Sequence, residues 1–419
     1  MIGIRSNRGR SRQATAVRPR DPKPSGLLTT LVNQSGPHLV LFLCALTTTH
    51  CNDARRVRGS APGTEPVLMS AQQDAVHSWT HFVLERPAPA TRLFVESYFM
   101  RGLVAVSEVL SAPELTPADH ALAAAALARA QAFADSLVRT QDARGYWKLG
   151  YNSGWVADMA AAVAVFGSLE PHLDPKRVTD YEACAAKFLR GLERDGLILD
   201  SGGVGLGWPL DEQAPPGARA WRSDTGWSDS EYLVATALAG IEVNAWLYHR
   251  THAEPYRTRA RKALDVTLAR LKADGSFPTV GPQEGPLQVA FYVQEGWIAA
   301  DAWLEDPQVA ARICAASGNH VGALVAAQQP DGTWANGNPG DAARADGLLN
   351  FFLWHESRCT SDPRLPGAIG RSRRFLLHPR RWSDFGAVVA GEPNAELSEI
   401  RRALVGRPLA AAVRGRPVL

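Results

Sequence analysis

The stretches Gln141-Asp-Ala-Arg-Gly145-Tyr-Trp147 and Gln328-Gln-Pro-Asp-Gly332-Thr-Trp334 share the spacing Gln-x-x-x-Gly-x-Trp, which is the strongest structural signal in the chain. Lys272-Ala-Asp274-Gly275-Ser-Phe277 is a third copy, with Phe for Trp and Leu271 in the place of Gln, and Arg194-Asp195-Gly196-Leu-Ile198 is a fainter fourth. Each copy follows a helical pattern, and a glycine just after a helix is typical of a left-handed helix stop. The repeat therefore predicts a series of helical hairpins.

The sequence between these turns carries helical patterns and almost no strand signals. Ala118 to Thr140 follows the cap pair Thr116-Pro117 and keeps apolar residues at three- and four-residue steps. Similar patterns predict helices at 94–110, 156–169, 178–192, 231–249, 256–271, 289–304, 309–328 and 348–356. Residues 159–166 are apolar nearly all round, and such a helix must be covered on both sides. One layer of helices is therefore expected to lie inside another.

A second element recurs after most of the turns, as Gly-Trp near an acid at the start of the next helix. It is present in Asn152–Asp158, Asp224–Asp229 and Glu295–Trp297, and Arg344–Gly347 holds the same place without the Trp. Each unit then consists of an outer helix, an Asp-Gly turn, a loop and an inner helix. This order brings every inner-helix N-terminus to one end of a ring and predicts an all-α fold, an α/α toroid, whether its ring is complete or incomplete.

At residues 141–147 and 328–334 the chain resembles the Gln-Trp repeat of terpenoid cyclases. More broadly, over residues 90–357, it resembles the α/α-toroid superfamilies, which include six-hairpin glycosidases, polysaccharide lyases and sugar epimerases. In cyclases the repeat is understood as a structural clamp, so the resemblance implies structural roles for Gln141, Trp147, Gln328 and Trp334. It implies a fold and not a reaction.

The acid clusters of terpenoid cyclases are missing from this sequence. Neither an Asp-x-Asp-Asp cluster nor a magnesium-binding Asp-Asp-x-x-Asp cluster occurs, and the nearest stretch is Ser228–Glu231. Cys314 and His320 lack a second pair for zinc, and Cys314 is expected to be a buried thiol. The five cysteines show no C-x-x-C spacing and predict no disulfide scaffold. No metal and no cofactor are predicted.

Aromatic residues at the expected loop end of the ring favour a carbohydrate substrate, because flat sugar faces stack on aromatic rings. The long Gly- and Pro-rich insertion 199–228 favours a functional loop. The predicted substrate-binding residues are Tyr146, Tyr151, Trp208, Trp221 and Trp227, with Arg222 and Arg344 as partners for a carboxylated sugar. The alternatives are that the aromatics plug hairpin ends and that the arginines pair with neighbouring acids.

Acids near inner-helix N-termini are the candidates for catalysis, since crowded carboxyls raise one another's pKa. The candidate catalytic residues are Asp158, Asp229, Glu231, Glu295 and Asp346, with Tyr292 and His355 as possible bases. Asp224, near the end of the insertion 199–228, is a further candidate acid. The alternative for each Asp is a helix N-cap, and for His355 a satisfied helix-end residue.

The two ends of the chain have a different composition from its middle. Residues 1–65 combine a disordered basic tail with the apolar run Leu39–Leu46, which is typical of an export signal, and Cys51 is a candidate for a lipid anchor. The alternative is a disordered basic tail on a cytoplasmic protein. Residues 66–378 are predicted to form the toroid domain, and 379–419 a C-terminal tail whose last stretch, 411–417, lacks a packing pattern. No run approaches the roughly 18 apolar residues of a transmembrane span.

The balance of 45 basic and 42 acidic residues argues against a nucleic-acid partner. The leading hypothesis is an exported carbohydrate-active enzyme that acts on an oligo- or polysaccharide by hydrolysis, elimination or epimerisation. One alternative is a terpenoid-cyclase- or prenyltransferase-like enzyme. The other is a toroid that binds glycan or protein without catalysis, which predicts scattered acids with no two carboxyls within about 10 Å.

Overall fold

A computed structural model describes residues 70–86, 93–147, 156–205, 229–278, 286–334, 346–359, 362–377 and 395–419. All of them belong to the compact unit Thr64–Leu419. Over these residues the chain is helical, and its β-structure is confined to two isolated bridges, Ile198 with Val204 and Gln328 with Trp334.

The helices follow one another as antiparallel outer and inner partners. The outer helices are α1 (Ser70–Glu85), α3 (Pro117–Thr140), α5 (Pro175–Arg194), α8 (Glu254–Ala269), α10 (Pro307–Ala327) and α12 (Leu365–Leu376). The inner helices are α2 (Leu93–Leu110), α4 (Val156–Leu169), α6 (Asp229–Ala235) with α7 (Asn244–Thr251), α9 (Pro286–Trp303), α11 (Leu348–Arg358) and α13 (Ala395–Arg414). A π-helical segment, Thr236–Val243, joins α6 to α7, and a 3₁₀ turn, Glu170–His172, follows α4.

The inner helices form a closed ring. Helix α2 packs on α4, α4 on the π-helical segment, that segment on α9, α9 on α11, α11 on α13, and α13 again on α2. The described residues therefore supply six helical hairpins, and the predicted α/α toroid is confirmed as a complete ring. The nine predicted helical stretches all lie on helices of this ring.

Burial separates the two layers as their sequences require. Every residue of α4 is buried, from Val156 to Leu169, whereas the outer helix α5 buries one stripe that includes Tyr181 and Phe188. A helix that is apolar all round is stable only with neighbours on both sides. The inference of nested layers from residues 159–166 is confirmed.

Helices α2 and α13 close the ring at a contact between glycines. A Cβ atom at Gly406 would lie 2.7 Å from the Cα of Gly102, and the Trp79 ring packs on both residues. The last part of the chain is thus part of the ring, and Ala410, Ala411 and Ala412 are fully buried. The expectation that residues 411–417 lack a packing pattern is wrong, because small side chains let α13 approach α2 closely. The boundaries at 65 and 378 stay predictions.

The repeated turns dock each hairpin on the next outer helix. Gln141 Nε2 donates to the carbonyl oxygens of Gly145 (3.1 Å) and Cys184 (2.9 Å), and Trp147 Nε1 donates to that of Leu137 (2.7 Å). Gln328 and Trp334 repeat these contacts toward α12 and α10. The structural role that the resemblance implied for both motifs is confirmed.

The fourth copy of the turn is Ile198–Val204, and its assignment to Gly196 is wrong. Ile198 and Val204 form the bridge that Gln328 and Trp334 form in their own repeat. Gly202 has a φ of 94° and would place a Cβ 2.5 Å from Lys262 of α8, while a Cβ at Gly196 would meet nothing within 4 Å. The repeat was hidden because aliphatic residues replace Gln and Trp.

The cysteines also differ from expectation. Cys314 of α10 and Cys359, directly after α11, form a disulfide across a sequence separation of 45 residues. The expectation of a buried free thiol at Cys314 is wrong, because the fold brings together two cysteines whose spacing carries no signal. Cys184 is free and buried, and burial raises the pKa of its thiol to about 12.

One described helix, α3, is long and apolar enough to cross a membrane by length and composition alone. In the ring it is an outer helix whose buried alanines face α2. Its acids bond neighbouring helices: Asp135 accepts from the Tyr181 hydroxyl at 2.7 Å, and Asp119 accepts from Gln73 of α1 at 3.1 Å.

Candidate functional site

The described acids among the sequence candidates are buried on inner helices. Asp158 lies in the first turn of α4 and is 2% exposed, and Glu295 lies in the third turn of α9 and is 5% exposed. Asp346 lies two residues before the start of α11 and is 6% exposed. Charged groups are buried in proteins only when local partners or a function compensate for the lost hydration.

Glu295 belongs to a group that we call the central charge cluster, made of Tyr98, Arg101, Glu242, Glu295 and Arg407. The Tyr98 hydroxyl donates to Glu295 Oε2 at 2.5 Å, and an Arg101 N–H donates to the same oxygen at 3.5 Å. Arg407 bonds the other oxygen of Glu295, and Arg101 also bonds Glu242. These residues come from α2, α9, α13 and the π-helical segment, so the cluster joins four inner elements.

The cluster places two guanidinium groups against two carboxylates, and all four groups are buried. Burial raises the pKa of Glu242, against the opposing effect of the Arg101 guanidinium, and burial together with Glu295 raises the pKa of Tyr98. Burial and then the nearby Arg101 lower the pKa of Arg407. Glu242 Oε2 and the Nε atoms of both arginines have no hydrogen-bond partner among the described residues. Polar atoms of this kind are rare in buried regions.

Asp346 lies in a different environment, which shifts its pKa toward neutrality. Burial raises its pKa to about 6. Arg401 on α13, the cation paired with it among the described residues, has its Nε 3.8 Å from Oδ2 and lowers that pKa only partly. Oδ2 has no hydrogen-bond partner in the part of the chain that the structure describes. A carboxyl with a pKa near neutrality is suited to donate a proton.

Aromatic side chains lie beside the central charge cluster, in the first half of α2 and α9. The Tyr292 ring lies 5.6 Å from that of Phe94, 6.1 Å from that of Tyr98 and 4.9 Å from that of Phe291, measured between centroids. We call these four residues the aromatic cluster. All of them are buried, and Tyr292 is 2% exposed.

Two other candidates lie apart from this region. His355 is nine residues beyond Asp346, about 13 Å along the axis of α11. It packs on Phe351, burial lowers its pKa, and neither ring nitrogen has a hydrogen-bond partner among described residues. Tyr146 is fully buried at a hairpin end, where its hydroxyl donates to Asp195 at 2.8 Å. Its position fits the alternative that this aromatic ring fills the end of a helical hairpin, because neither face of the ring is open to a ligand.

The remaining candidates are not described in the structure. Tyr151, Trp208, Trp221, Arg222, Asp224, Trp227 and Arg344 lie outside the described residues. The backbone places Asp229 and Glu231 in the first turn of α6, and their side chains are likewise outside the description. Their roles stay predictions.

Sequence reasoning missed Tyr98, Arg101, Glu242 and Arg407. The available signal was a charge inside an otherwise apolar helical stretch, as in Phe99–Val104 and Leu238–Val243. Such a charge cannot face a solvated surface when the helix is covered on all sides, so a buried partner was to be expected.

Two carboxyls of the central charge cluster lie close together. Glu242 and Glu295 share one guanidinium, which brings their carboxyls closer than the roughly 10 Å limit that scattered acids would respect. Among the described residues there is no group of three or more His, Cys, Asp or Glu side chains arranged to hold a metal ion.

Comparisons with known proteins concern the fold alone. No family model matches the chain, and no curated protein is similar to it in sequence. Among solved structures the chain is similar to type II terpene cyclase MstE from Scytonema, at 15% identity and a TM-score of 0.48, over 83% of this chain and 99% of that one. It is also similar to ent-copalyl diphosphate synthase from Streptomyces platensis, at 18% identity and a TM-score of 0.42, over 76% and 50% of the two chains. A third is an inactive variant of the α-1,6-mannanase GH76A of Salegentibacter in complex with α-1,6-mannotriose, at 10% identity and a TM-score of 0.49, over 82% and 99%.

Proposed function

We propose that this toroid is an exported carbohydrate-active enzyme that acts on an oligo- or polysaccharide at the N-terminal end of its inner helices, with Asp346 as the general acid. The observation that carries the proposal is the buried Asp346 carboxyl, whose pKa is raised to about 6 at the start of an inner helix. Cleavage of a glycosidic bond by hydrolysis needs a proton donor for the leaving oxygen.

The surroundings of Asp346 support this role. Its Oδ2 makes no hydrogen bond to described residues, so its proton is not committed to a partner within the ring. Arg401, 3.8 Å away, favours the carboxylate that remains after proton transfer. A purely structural N-cap would instead accept hydrogen bonds from the first backbone N–H groups of its helix.

The proposal assigns the second carboxyl of the reaction to Glu295. It is bonded by Tyr98, Arg101 and Arg407, which fix its position and leave it less free to move than an exposed acid. In hydrolysis such a group serves as base or nucleophile, and in elimination or epimerisation Tyr98 beside it is a candidate proton carrier.

The substrate class rests on residues beyond the described part of the chain. Trp208, Trp221 and Trp227 precede α6, the inner helix that begins at Asp229. Indole rings near a cleft provide flat apolar faces for sugar rings, and Arg222 and Arg344 would suit a carboxylated sugar.

Export is supported by one bond inside the ring. Disulfides persist mainly in oxidising compartments, so the bond between Cys314 and Cys359 supports the proposal of export. The basic segment and the apolar run before Cys51 fit the same location. A lipid anchor at Cys51 stays part of the proposal.

The test is turnover of a panel of neutral and acidic polysaccharides by the purified chain, followed by reducing ends and by the absorbance of unsaturated sugar products. Asp346→Asn is expected to lower kcat by about 10²–10⁴-fold. Glu356→Gln, which removes an exposed acid from α11, the helix that follows Asp346, is the matched control and keeps full activity. The wild-type rate should also fall as pH rises through about 6, because Asp346 then loses its proton.

Undiminished activity of a folded Asp346→Asn variant would overturn the assignment. Binding of glycans without turnover would instead favour the non-catalytic toroid.

The aromatic cluster favours a second candidate, a terpenoid-cyclase-like enzyme. Phe94, Tyr98, Phe291 and Tyr292 are buried together, and aromatic faces stabilise nearby cations. In this case Asp346 would protonate an alkene instead of a glycosidic oxygen. Conversion of a polyprenyl alcohol or diphosphate to a cyclic hydrocarbon skeleton, lost in Asp346→Asn, would support this candidate over the first.

A further inference from the structure

Residues 416–419 follow α13 and return to the inner ring. Gly415 has a φ of 65°, a left-handed conformation that ends α13 and turns the chain. Val418 is then buried, at 5% exposure, between α11 and α13.

One side chain of α11 holds both backbone groups of Val418. The N–H of Val418 donates to Asn350 Oδ1 at 2.8 Å, and Asn350 Nδ2 donates to the Val418 carbonyl oxygen at 2.8 Å. This is the pair of bonds that a neighbouring strand supplies when it captures a peptide. Arg407 donates to the same carbonyl oxygen at 3.2 Å.

The two side chains that hold Val418 are themselves buried. Asn350 is 5% exposed and Arg407 is 4% exposed, and Arg407 also bonds Glu295 in the central charge cluster. Without the segment, an amide and a guanidinium N–H would be left in the interior without these partners, which is costly.

The segment is nonetheless attached by few contacts. Arg416 and Leu419 are exposed, and residues 416–419 form one wall of a cavity of about 480 Å³ whose other walls include Val104, Gly167 and Trp303. A segment with few buried groups opens before the ring unfolds.

We propose that Asn350 and Arg407 form a peptide-binding site, occupied in cis by residues 416–419, which act as a detachable latch on the ring. The site recognises a backbone N–H and C=O on one residue with a small apolar side chain. The inference does not depend on the reaction proposed above.

The first test uses the chain shortened to end at Gly415 and the peptide Arg-Pro-Val-Leu, which reproduces residues 416–419. Calorimetry should show one bound peptide per chain, and the peptide should raise the unfolding midpoint of the shortened chain. The control peptide Arg-Pro-Pro-Leu lacks the N–H at the position of Val418 and is expected to bind at least about tenfold more weakly. Asn350→Ala in the shortened chain should weaken binding of Arg-Pro-Val-Leu by a similar factor.

A second test uses the intact chain and covers the case in which the shortened chain does not fold. Hydrogen exchange followed by mass spectrometry should show protection at the amide of Val418, and Asn350→Ala should raise its exchange rate about tenfold or more while the amides of α3 stay protected. Equal binding of the two peptides, or no binding to a folded shortened chain, would overturn the proposal. Exchange of the Val418 amide at the rate of an unfolded peptide in the intact protein would overturn it as well.

Discussion

Arg401 Nε lies 3.8 Å from Asp346 Oδ2, close enough to attract the carboxylate but beyond hydrogen-bond distance. The guanidinium therefore offsets only part of the cost of burying a charge at Asp346. The carboxyl is held between its charged and neutral forms at a pH close to neutrality, and this balance makes the stability of the ring depend on pH.

Asp346→Asn should stabilise the protein at neutral pH. The folded-state pKa of Asp346 is raised from 3.8 to about 6, so the native state holds the proton more tightly than the unfolded state does. The wild-type free energy of unfolding therefore falls, relative to the variant, as pH rises from about 4 to about 6, and the difference stays constant above that range. The expected gain at pH 7 is about 1–3 kcal/mol. Urea denaturation of both proteins from pH 4 to 8 measures it, and parallel curves would contradict the raised pKa.

Removal of one arginine from the central charge cluster should lower the free energy of unfolding strongly. Arg101→Met leaves Glu242 without its hydrogen-bonded guanidinium in the interior, and the expected loss is about 3–5 kcal/mol. The exposed pair of Arg312 and Asp265 provides the control, since Arg312→Met should cost less than about 1 kcal/mol.

Arg101→Met with Glu242→Gln should recover a large part of the loss, because the uncompensated charge is then gone. Chemical denaturation of the two single variants and the double variant gives the coupling energy between the residues. If the losses in the free energy of unfolding of the two single variants add up in the double variant, Arg101 and Glu242 do not stabilise each other.

The layered ring could be predicted because its signals are local. An all-apolar stretch such as 159–166 requires cover on both sides, and the spacing from Gln141 to Trp147 recurs at Gln328. The central charge cluster could not be predicted from the sequence. Arg101 and Glu242 are 141 residues apart in sequence, and only closure of the ring makes them partners. The same holds for Cys314 and Cys359, and for the packing of α13 on α2.

The turn glycines offer a test of the repeat assignment. Gly332 has a φ of 93° and a Cβ added there would lie 2.5 Å from the Arg371 carbonyl oxygen, whereas Gly196, with a φ of 69°, has free space. Gly332→Ala and Gly202→Ala should each cost more than about 2–3 kcal/mol, from backbone strain together with displacement of the next outer helix. Gly196→Ala should cost about 1 kcal/mol from strain alone. Thermal and urea unfolding rank the stabilities of the three variants. A loss of stability in Gly196→Ala that equals or exceeds that in Gly202→Ala would refute the assignment of the fourth turn to Ile198–Val204.

The disulfide between Cys314 and Cys359 should stabilise the ring where α10 meets the end of α11. It closes a sequence separation of 45 residues, for which restriction of the unfolded chain predicts about 3–4 kcal/mol. Cys359→Ser should lower the unfolding midpoint, and dithiothreitol should lower that of the wild type to the same value while leaving the variant unchanged. Peptide mapping without reductant should recover residues 314 and 359 in one linked fragment. Cys184 is the internal reference, because its burial should keep it unreactive toward thiol reagents until the ring unfolds. A wild-type midpoint that does not respond to complete reduction would show that helix packing alone holds α10 against α11.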